Sequence, residues 1–305
     1  MVDAASGAAV LLSGPAADRA VLVVGATGML GKACLAGLRE TCARVDGTQR
    51  RDPAQPFHLR IGDDAALDAI LGAGRYDYIV NCAAVLAGSA LQTDDARRRE
   101  AIAADADFPL ALAAAATRHG ARVLHVSTDA VFSGRSREPY DETASPDPAD
   151  PYGQAKALGE PRSTDALSVR CSIAGVDRSG GRGLVEWFLS HAEGSALTGF
   201  EDQRWTGVTT LQLVDAFAKL IATDAFSMLR GVSPVHHFCP NPTVTKYEFL
   251  AALNRATGDK RIVRAGLANN GTYGRVLTSR YGVFNALAQT DAGWDRLLTD
   301  LLRSR

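Results

Sequence analysis

The sequence predicts an α/β fold, a doubly wound, mostly parallel sheet with a smaller C-terminal α/β substrate domain. Apolar runs rich in Val and Ile alternate with longer Ala- and Leu-rich stretches of helical period, which is typical of a parallel sheet covered by helices. Closely spaced glycines follow the first apolar run, within residues 20–31. The length of 305 residues is enough for one large domain or two smaller ones.

Strands and helices succeed one another along most of the chain. Strands are predicted at 20–25, 43–47, 57–61, 76–81, 121–127, 166–171 and 235–239. Helices are predicted at 31–41, 64–73, 95–119, 153–160, 183–193 and 209–224. A further helix is predicted after Thr245, its N-cap residue, with Glu248 completing a capping box.

One stretch, 133–151, interrupts this alternation and is rich in Pro, Asp and Ser. It is either a plain domain linker or a long excursion over the carboxyl edge of the sheet. We favour the excursion, because a predicted helix resumes directly after it.

The composition is that of an ordinary globular protein, with 46% hydrophobic and 22% charged residues and a net charge of −1. The net charge gives no support to binding of nucleic acid or an anionic membrane surface. No apolar run approaches the ~18 residues that a membrane span needs. The five cysteines are scattered without metal-ligand spacing, so we predict reduced thiols, no metal site and a cytoplasmic location. Residues 1–19 are interpreted as a disordered or start-site-dependent tail, because no basic residue precedes their short apolar run.

The glycines of "VLVVGATGMLGKACLAGL" lie between the first strand and the first helix. Glycine permits a tight turn and lets backbone N–H groups approach a pyrophosphate, while the helix N-terminus favours negative charge. In this context the glycines predict a dinucleotide-binding Rossmann domain, formed by residues 20–171 and about 208–239, although a packing turn is the alternative. The loop residues predicted to bind the cofactor are Gly25, Thr27, Gly28, Met29, Leu30 and Gly31.

The end of the second strand bears on the choice of cofactor. A carboxylate at its tip would bind the ribose 2′-hydroxyl of NAD, but Asp46 comes before the expected tip, and Arg50 and Arg51 lie beyond it. Because a guanidinium binds a 2′-phosphate, we favour NADPH, with NADH and solvated surface arginines as the alternatives. The remaining cofactor contacts are predicted for Asp63 at the adenine and for Cys82, Ala83 and Ala84 beside the nicotinamide.

A catalytic group is predicted from Tyr152 and Lys156, whose i, i+4 spacing stacks the two side chains on one helix face. A phenol with a pKa of about 10 is a poor catalyst at neutral pH, and a neighbouring ammonium is expected to lower that pKa. Ser127, Thr128 and Asp129 follow the strand "HVS", where open α/β sheets bind ligands. Thr128 is therefore predicted to bond the substrate oxygen, and Ser127 to bind the cofactor. The alternatives are a solvated helix face and a turn that ends the strand.

The second half of the chain is predicted to supply the substrate domain, from about 172–207 and 240–305, with a cleft between the two domains. Its aromatic residues either stack on a base or sugar ring or fill a core. The residues predicted to bind the substrate are Asp129, Val131, Phe132, Trp187, Trp205 and Arg280.

Four segments together resemble one known family. They are "GATGMLG", "STDAVFSG", "PYDETASPDPADPYGQAKALGE" and "DQRWTGVTTLQLVDAF". They are similar to the extended short-chain dehydrogenase/reductases, in particular the dTDP-4-dehydrorhamnose reductase-like branch. The resemblance implies that Thr128, Tyr152 and Lys156 are catalytic and that the substrate is a nucleotide-diphosphate sugar. Some members dimerise, so a homodimer is one expectation.

Two departures from the family pattern limit what the resemblance implies. Asp105 stands where many extended members have Asn, which puts the usual support of the lysine in doubt. The Arg-Pro-x-x-Ser segment of the family is replaced by something like "SRYGVFNAL" at 279–287, so the sugar or its nucleotide is expected to differ. Arg280 is either a partner of the diphosphate or a surface arginine.

The sequence thus predicts NADPH-dependent reduction of a keto group, at C4, on a nucleotide-linked 6-deoxy-hexose, for deoxysugar, polysaccharide or glycoside biosynthesis. A 4,6-dehydratase is less favoured, because similar enzymes place an Asp-Glu pair after the threonine and Ala130 follows Asp129 here. A 4-epimerase would retain NAD, which the arginines after the second strand argue against. A non-catalytic regulatory subunit is the alternative from another class.

Overall fold

The computed structural model describes residues 18–85, 93–177, 183–268, 273–288 and 293–304. The strands are β1 Ala20–Val24, β2 Arg44–Gly47, β3 Tyr78–Asn81, β4 Arg122–Thr128, β5 Ala166–Cys171, β6 Ile173–Ala174, β7 Ala196–Phe200, β8 Gln203–Trp205, β9 Val208–Thr209, β10 Val235–His237, β11 Val244–Thr245, β12 Ile262–Gly266 and β13 Tyr273–Arg275. The helices are α1 Met29–Arg39, α2 Asp64–Gly74, α3 Asp95–Ile102, α4 Phe108–Arg118, α5 Pro151–Leu158, α6 Leu184–Ser190, α7 Thr210–Ala222, α8 Phe226–Val232, α9 Lys246–Ala256 and α10 Trp294–Arg303.

The main sheet has six parallel strands in the order β10-β5-β4-β3-β1-β2. From β1 the chain first moves outward to β2 and then crosses to β3 on the other side. The crossovers therefore reverse direction between β1 and β3, and this opens a crevice at the carboxyl ends of these strands. The predicted doubly wound parallel sheet is confirmed.

Helices cover both faces of the sheet because its central strands are apolar on both sides. Val21 and Val23 face a core that includes Leu38 of α1 and Phe217 of α7. Leu22 and Val24, which alternate with them, face the opposite core with α2 and α4. This near-continuous burial is typical of parallel strands.

The prediction of a strand at 57–61 is wrong. Only one bridge, between Gln49 and His58, pairs this segment with the chain that follows β2. Pro56 has no N–H to donate to a ladder, and Phe57 has a φ of 59°, in the left-handed region. The edge of the sheet therefore ends in a turn-rich segment instead of a further strand.

The stretch 133–151 is an excursion and not a plain linker. Ser133 donates its backbone N–H and its hydroxyl to Asp147, and Tyr140 forms a bridge with Leu277. Glu142 accepts hydrogen bonds from the backbone of His237 and Arg280. The excursion therefore ties the main sheet to the C-terminal segments.

The remaining strands form three small sheets, β11-β8-β13, β12-β7 and β6-β9. They share a separate core with α6, α9 and α10, in which Trp205, Phe249 and Trp294 pack together. The capping box of Thr245 and Glu248 begins α9 as predicted. Among the described helices, none is long and apolar enough to cross a membrane.

Candidate active site

The glycine loop fits closely against the tip of β3. Gly25 has a φ of 76°, and a Cβ there would lie 2.8 Å from the Cα and N of Ala83. A Cβ on Gly31 would lie 2.2 Å from the carbonyl oxygen of Gly25. Only glycine fits at both positions, so the loop and the tip of β3 meet backbone to backbone.

The N-terminus of α1 is open where a phosphate would approach. Gly28 is its N-cap residue and has no side chain to cover the first-turn N–H groups. Thr27 and Gly28 are exposed, whereas Leu30 is buried. Thr48, buried at the end of β2, accepts a hydrogen bond from the N–H of Gly25 at 3.1 Å. The 11-residue helix thus presents an anion-binding end held in place by Thr48, a role the sequence analysis missed.

The side chains predicted at the adenine end lie on the surface. Arg50 is 72% exposed and lies 3.5 Å from Glu100, and Arg51 is also exposed. Asp63 is the N-cap residue of α2, and its carboxylate accepts from the N–H of Ala66. The arginines are therefore accessible to a 2′-phosphate, although Arg50 already has a carboxylate partner.

The tip of β3 is shaped by Asn81, which is fully buried. Its carboxamide accepts from the N–H of Ala83 at 3.1 Å and contacts His125 Nδ1 at 3.1 Å. The Cys82 thiol turns toward Cys34, 3.7 Å away. The segment 82–84 therefore offers its backbone to the crevice, beside the glycine loop.

The structure brings Thr128, Tyr152 and Lys156 together. Thr128 ends β4, and its hydroxyl is within hydrogen-bond reach of the Tyr152 phenol on α5. Lys156, one turn further along α5, donates to the carbonyl oxygen of Val126 at 2.7 Å. A Cβ on Gly153 would lie 2.1 Å from the carbonyl oxygen of Ala130, so α5 packs tightly against the segment after β4. This close packing holds the three side chains beside the crevice.

The expected lowering of the Tyr152 pKa is not found. Burial raises the pKa of this phenol, nearby Asp105 and Asp129 raise it further, and only the Thr128 hydroxyl opposes them. Tyr152 is therefore protonated at neutral pH. A protonated phenol is the form needed to give a proton to a carbonyl oxygen, as reduction requires.

Asp105 lies in a π-helical turn, 103–107, that interrupts the helix predicted over 95–119. Gly159 packs against this turn so closely that a Cβ there would lie 1.9 Å from the Asp105 carbonyl oxygen. The Asp105 carboxylate is fully buried and accepts from the N–H of Val85 at 3.1 and 3.2 Å. Burial raises its pKa to about 6, against the opposing charge of Lys156. The departure from Asn thus places a titratable group near Lys156.

Replacing Asp105 with Asn is expected to stabilise the protein at high pH. Because the folded chain holds this proton more tightly than the unfolded chain, stability falls as pH rises from about 4 through about 6. An asparagine amide does not ionise, so it avoids the cost of a buried charge at high pH. We therefore expect Asp105→Asn to raise the free energy of unfolding by about 2–3 kcal/mol at pH 8 and by little at pH 4. Urea unfolding of the variant and the wild type at both pH values measures this difference in stability. Asp107→Asn, an exposed site in the same turn, should change neither value, and an equal gain at both pH values would contradict the assignment.

Ser127 faces the protein interior, which does not fit its predicted contact with the cofactor. Its hydroxyl donates to Glu160 at 2.7 Å, on the opposite side of β4 from Thr128. Glu160 and Arg170 form a doubly hydrogen-bonded pair, with both N···O distances 2.7 Å and side chains no more than 2% exposed. The Arg170 guanidinium also lies 5.1 Å from the centre of the Phe132 ring. This buried pair supports the strand behind the site.

Three of the predicted substrate contacts are core residues. Val131 and Phe132 are fully buried, and Phe132 stacks on Tyr140 at 4.2 Å. Trp205 is 5% exposed and stacks on Trp294. Their side chains pack within the protein, so predicting them as substrate contacts was wrong.

The other predicted substrate contacts are either accessible or close to Thr128. Trp187 is 40% exposed and packs edge-on against His191. Arg280 is exposed, and its backbone N–H donates a hydrogen bond to the Glu142 carboxylate. Asp129 is buried directly beside Thr128.

Residues that the sequence analysis missed surround Asp129. The charges of Arg275 and Lys246 and the hydroxyl of Ser172 all lower the pKa of Asp129, against the effect of burial. Arg275 also donates to the carbonyl oxygen of Phe132 and pairs with Asp150, the N-cap residue of α5. Sequence distance hid these contacts, because β13 and α9 lie far along the chain from β4.

Comparison with known proteins agrees with this fold. The family model for the RmlD substrate binding domain matches residues 19–269. The chain is 37% identical over 146 residues to a dTDP-4-keto-6-deoxy-D-glucose reductase of Streptomyces niveus, covering 48% of each chain. It is 28% identical to the spore coat polysaccharide biosynthesis protein SpsK of Bacillus subtilis, covering 93% of this chain and 97% of that one.

Among solved structures, dTDP-4-dehydrorhamnose reductase of Bacillus anthracis, in complex with NADP, matches with a TM-score of 0.75 and 20% identity. That match covers 94% of this chain and all of the other, and at this identity it shows the fold alone. The chain spans about half the length of the Streptomyces niveus relative that it matches. Since the family model covers most of the sequence, the chain belongs to the RmlD substrate-binding-domain family of extended short-chain dehydrogenase/reductases.

Proposed function

We propose that this protein reduces the C4 keto group of a nucleotide-linked 6-deoxy-hexose with NADPH. The observation that carries the proposal is the convergence of Thr128, Tyr152 and Lys156 at the carboxyl end of β4, beside the glycine loop. The name of the Streptomyces niveus relative, a dTDP-4-keto-6-deoxy-D-glucose reductase, supports this substrate class. The Bacillus anthracis structure with NADP supports the cofactor.

The described residues fit a dinucleotide. The uncovered N-terminus of α1 and the loop at Gly25 and Gly28 would hold the pyrophosphate, and Arg50 and Arg51 would face the 2′-phosphate. The backbone of 82–84 would border the nicotinamide. When bound, this cofactor supplies a hydride to the carbonyl carbon.

Tyr152 would donate its proton to the carbonyl oxygen as the carbon is reduced. Its buried, protonated phenol is suited to that step, and Thr128 would orient the oxygen. Lys156, buried and one helical turn from Tyr152, would stabilise the negative charge left on the tyrosine oxygen. Burial lowers the pKa of Lys156, and Asp105 and Glu160 counter this effect and favour the ammonium.

The competing functions have less support. The position after Asp129 is Ala130, so the second carboxylate expected of a dehydratase is missing. The exposed arginines after β2 favour an exchangeable NADPH over the retained NAD of an epimerase. The presence of Thr128, Tyr152 and Lys156 at the end of β4 and on α5 favours an enzyme over a regulatory subunit.

NADPH oxidation by the purified protein tests the proposal. The substrates would be 4-keto-6-deoxy-hexoses linked to dTDP, UDP and GDP, with NADH in parallel reactions. We expect oxidation of NADPH, in preference to NADH, with at least one of them. Oxidation with none would contradict the proposal, and a stoichiometric protein partner without cofactor binding would favour the regulatory subunit.

A further inference from the structure

A series of polar side chains leads from Trp205, in the core that it forms with Phe249 and Trp294, to Thr128. Trp205 Nε1 donates to Ser172 Oγ at 2.6 Å, and the Ser172 hydroxyl is close enough to the Asp129 carboxyl group to lower its pKa. Asp129 Oδ1 lies 3.1 Å from Thr128 Oγ1. The proposed reduction assigns no role to Trp205, Ser172 or Asp129.

The direction of most of these bonds is fixed. An indole N–H can only donate, so Ser172 accepts from Trp205 and directs its own hydrogen to Asp129. At the other end, the N–H of Ala130 donates to Thr128 Oγ1 at 3.1 Å and occupies one of its lone pairs. The bond between Thr128 and Asp129 is therefore the one whose direction depends on a proton.

The two protonation states of Asp129 give Thr128 different capabilities. An ionised carboxylate only accepts, so Thr128 directs its hydrogen to Asp129 and has none for the substrate. A protonated carboxyl group donates to Thr128 and fills its second lone pair. The Thr128 hydrogen is then free to bond the carbonyl oxygen or the Tyr152 oxygen, and no heavy atom has to move.

The surroundings of Asp129 allow both states. Burial raises the pKa of Asp129, and Arg275, Lys246, Thr128 and Ser172 oppose that rise. The other titratable groups that face it are Tyr152 and Cys171, and burial raises the pKa of each, so both are uncharged at neutral pH. Lys246 is held over the Trp205 ring, 4.2 Å from its centre. The charges of Arg275 and Lys246 therefore act on the carboxyl group together with the Thr128 and Ser172 hydroxyls.

We propose that Asp129 is a positioning residue for the reduction, and that a proton on its carboxyl group turns the Thr128 hydroxyl toward the substrate carbonyl oxygen. This inference rests on the proposed function and adds a requirement to it. The competent enzyme carries a neutral Asp129, and activity falls as this group ionises.

Asp129→Asn is the decisive variant. Because Ser172 donates to one end of the side chain, the amide oxygen must face Ser172 and the amide NH₂ must face Thr128, as the protonated acid does. We expect wild-type kcat to fall as pH rises through the ionisation of Asp129, and the variant to keep its low-pH kcat. At high pH the variant should exceed the wild type by about tenfold or more, because a lost donor to a developing oxyanion costs about 10²–10³.

Two further variants sharpen the test. Adding Ser172→Ala to Asp129→Asn frees the amide to turn over, so the advantage at high pH should be lost. Asp68→Asn, on the surface of α2, should keep the wild-type pH profile. If Asp129→Asn lowers kcat at every pH while NADPH binding is retained, the ionised carboxylate is needed and the proposal is overturned.

A measurement without substrate separates this proposal from the proposed function. Infrared spectra recorded across a pH titration should show a protonated carboxyl band that is absent from Asp129→Asn and present in Asp105→Asn. If Asp129→Asn keeps every protonated carboxyl band of the wild type, the proposal is overturned. If the band is assigned to Asp129 but no 4-keto sugar is reduced, the proposed function fails and the protonation of Asp129 stands.

Discussion

Tyr152→Phe is expected to lower kcat by about 10²–10⁴-fold, the range of a lost general acid. The phenol hydroxyl is the proton donor in the proposed reaction, and phenylalanine removes that hydroxyl while it keeps the ring. NADPH binding should therefore stay close to that of the wild type. Steady-state rates with the best 4-keto sugar, together with NADPH fluorescence titration, measure both quantities.

The matched control is Tyr78→Phe, which removes a phenol hydroxyl bonded to Asp224 at the start of β3, the opposite end of that strand from the site. It should leave kcat unchanged. Two outcomes would contradict the assignment of Tyr152 as the acid. One is wild-type kcat in Tyr152→Phe, and the other is an equal loss in both tyrosine variants.

Arg170→Met is expected to destabilise the protein by about 3–5 kcal/mol, because it leaves Glu160 buried without its partner. The Glu160–Arg170 pair is almost completely shielded from water, and Ser127 donates to the same carboxylate. Making Glu160 neutral as well, in Arg170→Met with Glu160→Gln, should restore much of the loss. Urea unfolding of the three proteins measures these free energies.

An exposed ion pair provides the contrast. Arg118 and Asp68 lie 2.9 Å apart with side chains 59% and 49% exposed, so Arg118→Met should cost less than about 1 kcal/mol. If Arg118→Met and Arg170→Met lower stability equally, burial of the Glu160 charge is not what makes the pair important.

The residues proposed to be catalytic have local signals in the sequence. Tyr152 and Lys156 are one helical turn apart, and Thr128 directly ends an apolar strand. The same strand alternation could have shown that Ser127 faces away from Thr128. The main sheet followed from the apolar runs in the same way, except at 57–61, where the turn at Phe57 overrides an otherwise strand-like composition.

What surrounds the catalytic group was not predictable from local pattern. The π-helical turn at Asp105 packs closely against Gly159 of a later segment, and the charges of Lys246 and Arg275 reach Asp129 through long-range packing. Trp205 shows the limit most clearly. An aromatic residue in a predicted substrate segment suits a ligand as well as a core, and only packing against Phe249 and Trp294 decides between them.

The contact between Gly25 and Ala83 has a consequence for protein engineering. Because a Cβ at Gly25 would lie 2.8 Å from the backbone of Ala83, random libraries should keep glycine at this position. Attempts to switch the coenzyme should instead diversify the solvent-facing positions 50 and 51, where side chains can be exchanged without disturbing the interior.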